Sequence, residues 1–263
     1  MKYNQLKILI LFTLIGISFF VFNQAKAAIA FDAMATSTVV GTTTATTFAH
    51  TVGTGTDRAL FVGVGYADDT DGITGVTYAG SAMTLAVSEI NSYQRSYIYY
   101  MVAPASGTNN VVVTYAGTLS ADDRGGVGAV SYTDVAQSST INATSSYSIL
   151  TGVTQLAATV AVVSDNWIFN NFWWGGSGTN TVGAGETKRW AFPATGTNNG
   201  SADKAMTATE NFTTIWNGSA SNSGNLTVVA FKPSGRRRIF ISLENTLLKS
   251  VALLIKNSLW KNI

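Results

Sequence analysis

The stretch that decides the fold is Arg58-Ala-Leu-Phe-Val-Gly-Val-Gly-Tyr66. Side chains alternate along an extended strand, so Leu60, Val62 and Val64 share one face, and Phe61 shares the other face with two glycines. Glycine has no side chain, so the second face permits the close approach of another layer. The stretch therefore predicts a β-strand against which a further layer packs.

Comparable stretches recur along residues 28–233, separated by turns rich in Gly, Asn, Ser and Asp. Ala79-Gly-Ser81 predicts a hairpin turn between two of them. Further strands are predicted at residues 96–102, 110–115, 126–132, 156–163, 167–173, 187–192, 204–208, 212–216 and 226–231. Apolar residues do not recur at helical spacing here, which excludes a parallel α/β sheet with its crossover helices. We expect an all-β fold, an antiparallel β-sandwich of jelly-roll type.

The composition narrows the chemistry. The chain has 263 residues, 46% hydrophobic and 11% charged, with one histidine and no cysteine. That length suits one large all-β domain or two small domains. The absence of cysteine excludes disulfide frameworks, thiol catalysis and iron–sulfur sites, and a single histidine excludes a multi-histidine metal centre. The composition argues against most enzyme chemistries.

Charge is distributed unevenly along the chain. Residues 1–27 carry a net charge of +3, residues 28–233 carry −6, and residues 234–263 carry +5. Nucleic-acid binding needs clustered cations on the folded surface, so the acidic central region predicts no nucleic-acid partner.

The N-terminal segment predicts export. Lys2 and Lys7 precede an apolar run at residues 8–22, and Ala25-Lys-Ala27 has the small residues that signal peptidase accepts. The alternative is an uncleaved anchor, but the run is shorter than the roughly 20 residues that span a bilayer. We expect a signal helix, residues 1–27, cleaved after Ala27, and a secreted or cell-surface location. A cysteine-free exported chain is more typical of bacteria.

The C-terminal segment, residues 234–263, differs in composition from the rest. Arg236, Arg237 and Arg238 precede a stretch in which leucine and valine recur near helical spacing, punctuated by lysines. This pattern predicts a basic amphipathic helix that contacts a membrane surface or a partner. An incidental extension of the domain is the alternative.

Between these segments we expect one β-sandwich domain, residues 28–233. Gln137–Ser148, rich in Ser, Thr and Asn, is a conceivable boundary. Each half would hold too few strands to close a core, so we interpret this stretch as a surface loop or crossover.

Five segments carry a resemblance to known proteins. They are Arg58-Ala-Leu-Phe-Val-Gly-Val, Val76-Thr-Tyr-Ala-Gly-Ser-Ala-Met-Thr-Leu, Tyr99-Tyr-Met-Val-Ala-Pro-Ala-Ser-Gly-Thr, residues 111–115, and Gly128-Ala-Val-Ser-Tyr. Their succession resembles the uncharacterised secreted modules of large bacterial surface proteins, which are similar in general form to lectin-like jelly rolls. The resemblance implies a fold and a surface location. Its motifs are strand and turn residues, so it implies no catalytic or binding residue.

Calcium is the one cofactor that the sequence suggests. Asp68, Asp69 and Asp71 precede Gly72 in a turn, and carboxylate oxygens are the ligands that Ca²⁺ prefers. The spacing fails the EF-hand template, and a solvated turn is the alternative. Asp122-Asp-Arg124 is a second acidic loop with the same two interpretations.

His50 lies on the same strand face as Phe48 and Val52. A general base needs a nucleophile or second carboxylate nearby, and the neighbouring sequence offers neither. We interpret His50 as a packed or hydrogen-bonded structural residue.

Aromatic residues give the main functional indication. Trp173 and Trp174 are adjacent, so they point to opposite faces of a strand, and we expect one of them to face solvent. An exposed indole is a platform for a sugar ring, and Asn171 and Trp190 complete a candidate carbohydrate-binding set. The alternative is that these rings fill the core.

Three classes of function follow. The first is an exported, non-catalytic cell-surface module for adhesion or carbohydrate binding, with glycans or surface proteins as partners. The second is a structural or self-assembling surface module without a small ligand. The third, a glycoside hydrolase, needs paired carboxylates, and Glu89, Glu186 and Glu210 have no acidic residue two positions away. We therefore expect that the protein is not an enzyme.

Overall fold

In a computed structural model, the described residues are 25–67, 72–121, 124–176, 178–193, 197–235 and 237–238. They form strands and no helix. The strands are β1 (Ala25–Lys26), β2 (Ala30–Val40), β3 (Ala45–Val52), β4 (Ala59–Ala67), β5 (Ile73–Tyr78), β6 (Ser81–Ala82), β7 (Thr84–Asn91), β8 (Gln94–Val102), β9 (Gly107–Tyr115), β10 (Arg124–Thr133), β11 (Ile141–Val162), β12 (Trp167–Gly175), β13 (Asn180–Val182), β14 (Thr187–Pro193), β15 (Thr197–Ala205), β16 (Glu210–Phe231) and β17 (Arg237–Arg238).

The chain divides into two units. Ala28–Ser234 is one compact unit and contains β2 to β16. The other unit consists of Met1–Ala27 and Gly235–Ile263, in which β1 and β17 form a two-residue antiparallel pair. The predicted signal helix and C-terminal amphipathic helix fall almost wholly on residues outside the described ranges. Within those ranges, no helix is long and apolar enough to cross a membrane.

The first half of the larger unit is a jelly roll. The middle sheet has the strand order β2-β10-β4-β8-β7, and the front sheet has the order β3-β9-β5-β6. All pairs are antiparallel. From β2 to β5 successive strands alternate between the two sheets, and β6 and β7 then form one outer strand of the front sheet and one of the middle sheet, respectively. The later strands β8, β9 and β10 fill interior positions. This is the double Greek-key order of a jelly roll, and the predicted antiparallel β-sandwich is confirmed.

The second half forms the back sheet, with the strand order β11-β16-β12-β15-β14 and β13 paired to β16. β11 and β16 have 22 residues each and pair antiparallel, with register shifts between Ile149 and Gln155. The two-stranded β11–β16 ribbon folds over at these shifts. Leu226 of β16 pairs with Phe172 within the sheet, whereas the Trp216 ring, also of β16, packs on the Phe172 ring at 4.2 Å between centroids. This ribbon therefore supplies two layers.

The β11–β16 ribbon corrects two predictions. Most of Gln137–Ser148 belongs to β11 rather than to a loop, and the strands predicted at residues 212–216 and 226–231 are parts of the single strand β16. Residues 141–148 of β11 and 217–222 of β16 are rich in polar side chains and partly exposed. They therefore lack the apolar alternation that identifies a half-buried strand.

Three apolar cores separate the layers. The first lies between the front and middle sheets and contains Leu60, Val62 and Val64 of β4. The second lies between the middle and back sheets and contains Phe61, Phe169 and other buried residues. The third lies inside the folded β11–β16 ribbon, where Leu156, Val160 and Trp216 pack on the other face of β12. The middle sheet and β12 are covered on both faces.

Glycines make the close contact between the middle and back sheets possible. A Cβ added at Gly63 would lie 2.7 Å from Asn171 Oδ1, and one added at Gly65 would lie 2.3 Å from Asn199 Nδ2. On β10, a Cβ at Gly128 would lie 2.6 Å from the Trp190 ring. The glycine face predicted for residues 58–66 is therefore the face on which the back sheet rests.

Candidate functional site

The candidate carbohydrate-binding residues lie on β12 and β14 of the back sheet. Trp173 and Trp174 point to opposite faces, since Trp173 contacts Tyr93 in the turn between β7 and β8, whereas Trp174 belongs to the core inside the β11–β16 ribbon. They are 1% and 2% exposed, and Trp190 is 6% exposed. The expectation that one indole faces solvent is wrong, because a separate layer covers each face of β12.

Asn171 is also buried, and its polar atoms are engaged within the protein. Its Nδ2 donates to Val64 O at 3.0 Å and to Ser96 Oγ at 2.9 Å, and its Oδ1 accepts from Asn199 Nδ2 at 3.2 Å. Trp190 Nε1 in turn donates to Asn199 Oδ1 at 3.1 Å. Asn171 and Trp190 thus belong to one polar network between the middle and back sheets, and that network occupies the atoms that a sugar hydroxyl would need.

A second polar network lies on the other face of β12. Asn170 Nδ2 donates to Glu186 Oε2 at 2.8 Å, and Thr214 Oγ1 donates to the same oxygen at 2.7 Å. Trp216 Nε1 donates to Asn170 Oδ1 at 2.9 Å. Burial raises the pKa of Glu186, although these hydrogen bonds oppose the increase. Glu186, which directly precedes β14, therefore joins β12 to β16 of the folded ribbon.

A buried ion pair joins Asp203 of β15 and Arg189 of β14. Arg189 Nε lies 2.7 Å from Asp203 Oδ2, Tyr132 OH donates to the same oxygen at 2.5 Å, and Asp203 is 1% exposed. Burial raises the pKa of Asp203 in spite of Arg189, and burial beside that carboxylate raises the pKa of Tyr132 well above its usual range. The Arg189 guanidinium also lies 3.9 Å above the Phe31 ring. These groups stabilise packing and offer no open face to a substrate.

His50 takes part in a third chain of polar groups. Ser131 Oγ donates to Asp32 Oδ2 at 2.7 Å and lies 3.1 Å from His50 Nε2. Because the serine proton points to Asp32, His50 Nε2 must be the protonated nitrogen, and Nδ1 is left without a hydrogen-bond partner among the described residues. Burial lowers the pKa of His50 to about 4, against a smaller opposing effect of Asp32.

This chain has the residue types of a hydrolase triad in an order that does not activate the serine. In a triad the serine donates to histidine and histidine donates to the carboxylate. Here Ser131 donates directly to the carboxylate, and both His50 and Ser131 are buried. The geometry is that of a packed, hydrogen-bonded histidine, as the sequence predicts.

The candidate calcium ligands Asp68, Asp69 and Asp71, like Asp122 and Asp123, lie outside the described residues. Among the residues that are described, no group of three or more His, Cys, Asp or Glu side chains could hold a metal ion.

The structure adds two open grooves that sequence reasoning missed. One has a volume of about 330 Å³ and is lined by Ala82, Thr84, Tyr100, Met101, Val102, Gln137, Ser138, Ser139 and Thr140. The other has a volume of about 410 Å³ and lies where β2 ends, beside Arg124 and Gly125. Residues from distant strands and loops meet in each groove, so no local motif marks either of them.

Exposed apolar side chains concentrate on strands at sheet edges. Phe31, Met34 and Val40 of β2 are 39%, 42% and 63% exposed, and Leu85 and Ile90 of β7 are also exposed. β2 and β7 are the two outer strands of the middle sheet.

Compared with protein-family models, curated proteins and solved structures, the chain matches none.

Proposed function

We propose that the chain is an exported, non-catalytic structural module that acts at the cell surface by associating with copies of itself. The observation that carries this proposal is where the distinctive side chains lie. Trp173, Trp174, Trp190 and Asn171 pack between layers, whereas five of the eight large apolar side chains that are exposed in the described part of the chain lie on β2 and β7, the outer strands of the middle sheet.

The buried polar groups support a structural role. Asp203, His50 and Asn171 are each at most 1% exposed, and each forms hydrogen bonds inside the protein. A group that binds or transforms a substrate must reach it, whereas these groups join one layer to the next. Export is supported by the signal-like N-terminal sequence.

Self-association of the purified exported chain tests the proposal. Sedimentation velocity over a hundredfold range of concentration gives the mass of the species, to be compared with the mass of one processed chain, which mass spectrometry gives and which is below the 27.7 kDa of all 263 residues. We expect a concentration-dependent increase to at least twice that mass. A monomer throughout this range would contradict the proposal.

Carbohydrate binding remains a second candidate, favoured by the groove of about 330 Å³ that Tyr100 and Gln137–Thr140 help to line. Tyr100 is partly exposed, and its ring stacks on buried Phe61, which fixes its position. An aromatic ring among hydroxyl groups is a common way to bind a sugar. On a glycan array, Tyr100→Ala should lose any binding that the native chain shows, whereas Tyr93→Ala, an exposed tyrosine outside the groove, should retain it.

A further inference from the structure

The most informative feature for self-association is the difference between the two outer strands of the middle sheet. At β7, Asn225 Nδ2 of β16 donates to Glu89 O at 3.1 Å, and Ser146 Oγ of β11 donates to Glu89 Oε2 at 2.5 Å. The back sheet thus lies against β7. β2 pairs with β10 alone, and no other described strand is hydrogen-bonded to it. Among the strands that the structure describes, its second edge therefore has no partner, and such an edge can pair with another chain.

β2 lacks most of the features that protect natural edge strands. It has 11 residues, with no proline, no lysine and no arginine. Its one charged residue, Asp32, accepts hydrogen bonds from Ser131 Oγ and from Gly53 N at 2.8 Å. A register shift opposite Ser131 and Tyr132 marks a bulge near Asp32, so the regular part of the edge begins at Ala33 and ends at Val40.

We propose that β2 pairs antiparallel with β2 of a second copy of this chain, around a two-fold axis at Ser37. This inference rests on the proposed self-association and names its interface. The pairing joins the two middle sheets into one continuous sheet of ten strands, since each contributes five.

The sequence of β2 complements itself in this register. Met34 lies opposite Val40 of the second copy, so two exposed apolar side chains meet, and Thr36 lies opposite Thr38. Asp32 lies outside the paired stretch, so the two carboxylates do not face each other. A neutral, apolar edge that complements itself favours a second copy over a charged partner.

The hydrogen bonding suits a stable contact. Seven paired residues on each strand, 34–40, give about seven main-chain hydrogen bonds, close to the number in a typical protein–protein interface. The exposed side chains of Met34 and Val40 add apolar contact on one face of the joined sheet.

A cysteine at residue 37 tests the register directly, because the chain has no cysteine of its own. Opposite residues of an antiparallel pair have Cα atoms about 4.5 to 5.5 Å apart, which a disulfide can bridge. Under mild oxidation we expect the full-length Ser37→Cys variant to form a disulfide-linked dimer at least ten times faster than Thr47→Cys. Thr47 is an exposed residue on β3 and serves as the matched control. Equal rates would overturn this interface.

Complementary charges provide a second test that separates loss of the interface from loss of folding. Thr36→Lys/Thr38→Lys and Thr36→Glu/Thr38→Glu should each be monomeric, and a one-to-one mixture should recover the dimer, since lysines then face glutamates. Thr47→Lys should associate like the native chain. If the native chain associates and neither double variant weakens association, the β2 interface is wrong although self-association stands. A monomeric native chain overturns both proposals.

Discussion

The single histidine makes the acid sensitivity of the fold measurable at one residue. His50 is 1% exposed, and its Nδ1 has no hydrogen-bond partner among the described residues. Protonation of Nδ1 would place a positive charge in the first core, and burial accordingly lowers the pKa of His50 from 6.5 to about 4. The perturbation is a decrease in pH, compared between the native chain and His50→Gln, which cannot titrate.

The sign and size of the pH effect on the free energy of unfolding follow from proton linkage. Between pH 6.5 and 4 the unfolded chain binds a proton at His50 that the folded chain excludes, so this residue stabilises the fold fully above pH 6.5 and progressively less below it. A lowering of the pKa by this amount reduces the free energy of unfolding by about 1 kcal/mol at pH 5.5 and by about 3 kcal/mol at pH 4. Burial raises the pKa values of Glu186 and Asp203, which act in the opposite direction. Both carboxyls are shared with His50→Gln and cancel in the difference.

Urea unfolding at several pH values between 7.5 and 4 measures the free energy of unfolding of each protein. We expect the native chain to lose about 3 kcal/mol relative to His50→Gln over this range. An NMR titration of the only histidine ring gives the same pKa directly, with a midpoint near pH 4. A constant difference between the proteins, or a midpoint near 6.5, would refute the assignment of His50 as a buried neutral residue.

Two further predictions concern the contacts between layers. Gly65→Ala should lower the free energy of unfolding by about 1–3 kcal/mol, because its Cβ would lie 2.9 Å from Phe172 O as well as against Asn199, whereas Gly75→Ala, with no atom within 4 Å, should leave urea unfolding nearly unchanged. Equal effects of the two substitutions would contradict the close packing of the sheets. Arg189→Leu should cost about 3–5 kcal/mol, because it leaves the Asp203 carboxylate buried with Tyr132 as its remaining side-chain partner, and Arg189→Leu/Asp203→Asn should recover part of that loss. No recovery in the double variant would show that Arg189 acts through its packing on Phe31.

The sequence predicts the strands that alternate in polarity. Leu60, Val62 and Val64 lie in the first core and Phe61 lies in the second, as alternation requires. β8, β9, β10, β12 and β14 also lie at or close to their predicted positions. A strand that is buried on one face only, or that has glycines along one face, shows a local sequence pattern that can be detected without the structure.

The second half of the unit was harder to predict because its defining event is not local. Trp173 and Trp174 do point to opposite faces, but the layer that covers Trp174 comes from residues of β11 and β16 far away in sequence. The β11–β16 ribbon folds over within polar stretches whose sequences resemble those of loops. Burial of Trp174 depends on this bend, so a pattern read from β12 alone gives the direction of each indole and not its exposure.

The polar network between the middle and back sheets fixes their alignment. Asn171 reaches Val64 O and Ser96 across the interface, and Asn199 reaches Asn171 from the next strand. These side chains fit only because Gly63 and Gly65 leave room. Apolar side chains alone would tolerate sliding of one sheet over the other by a residue pair, whereas such a shift would leave the buried amides unpaired at about 1–3 kcal/mol each. We therefore expect Asn171→Leu to destabilise the unit more than loss of one hydrogen bond implies. A lowered near-ultraviolet circular dichroism signal, to which buried Trp173 and Trp190 contribute, would be the sign of a changed alignment. An unchanged spectrum with a loss below about 1 kcal/mol would argue that the glycines alone determine how the sheets meet.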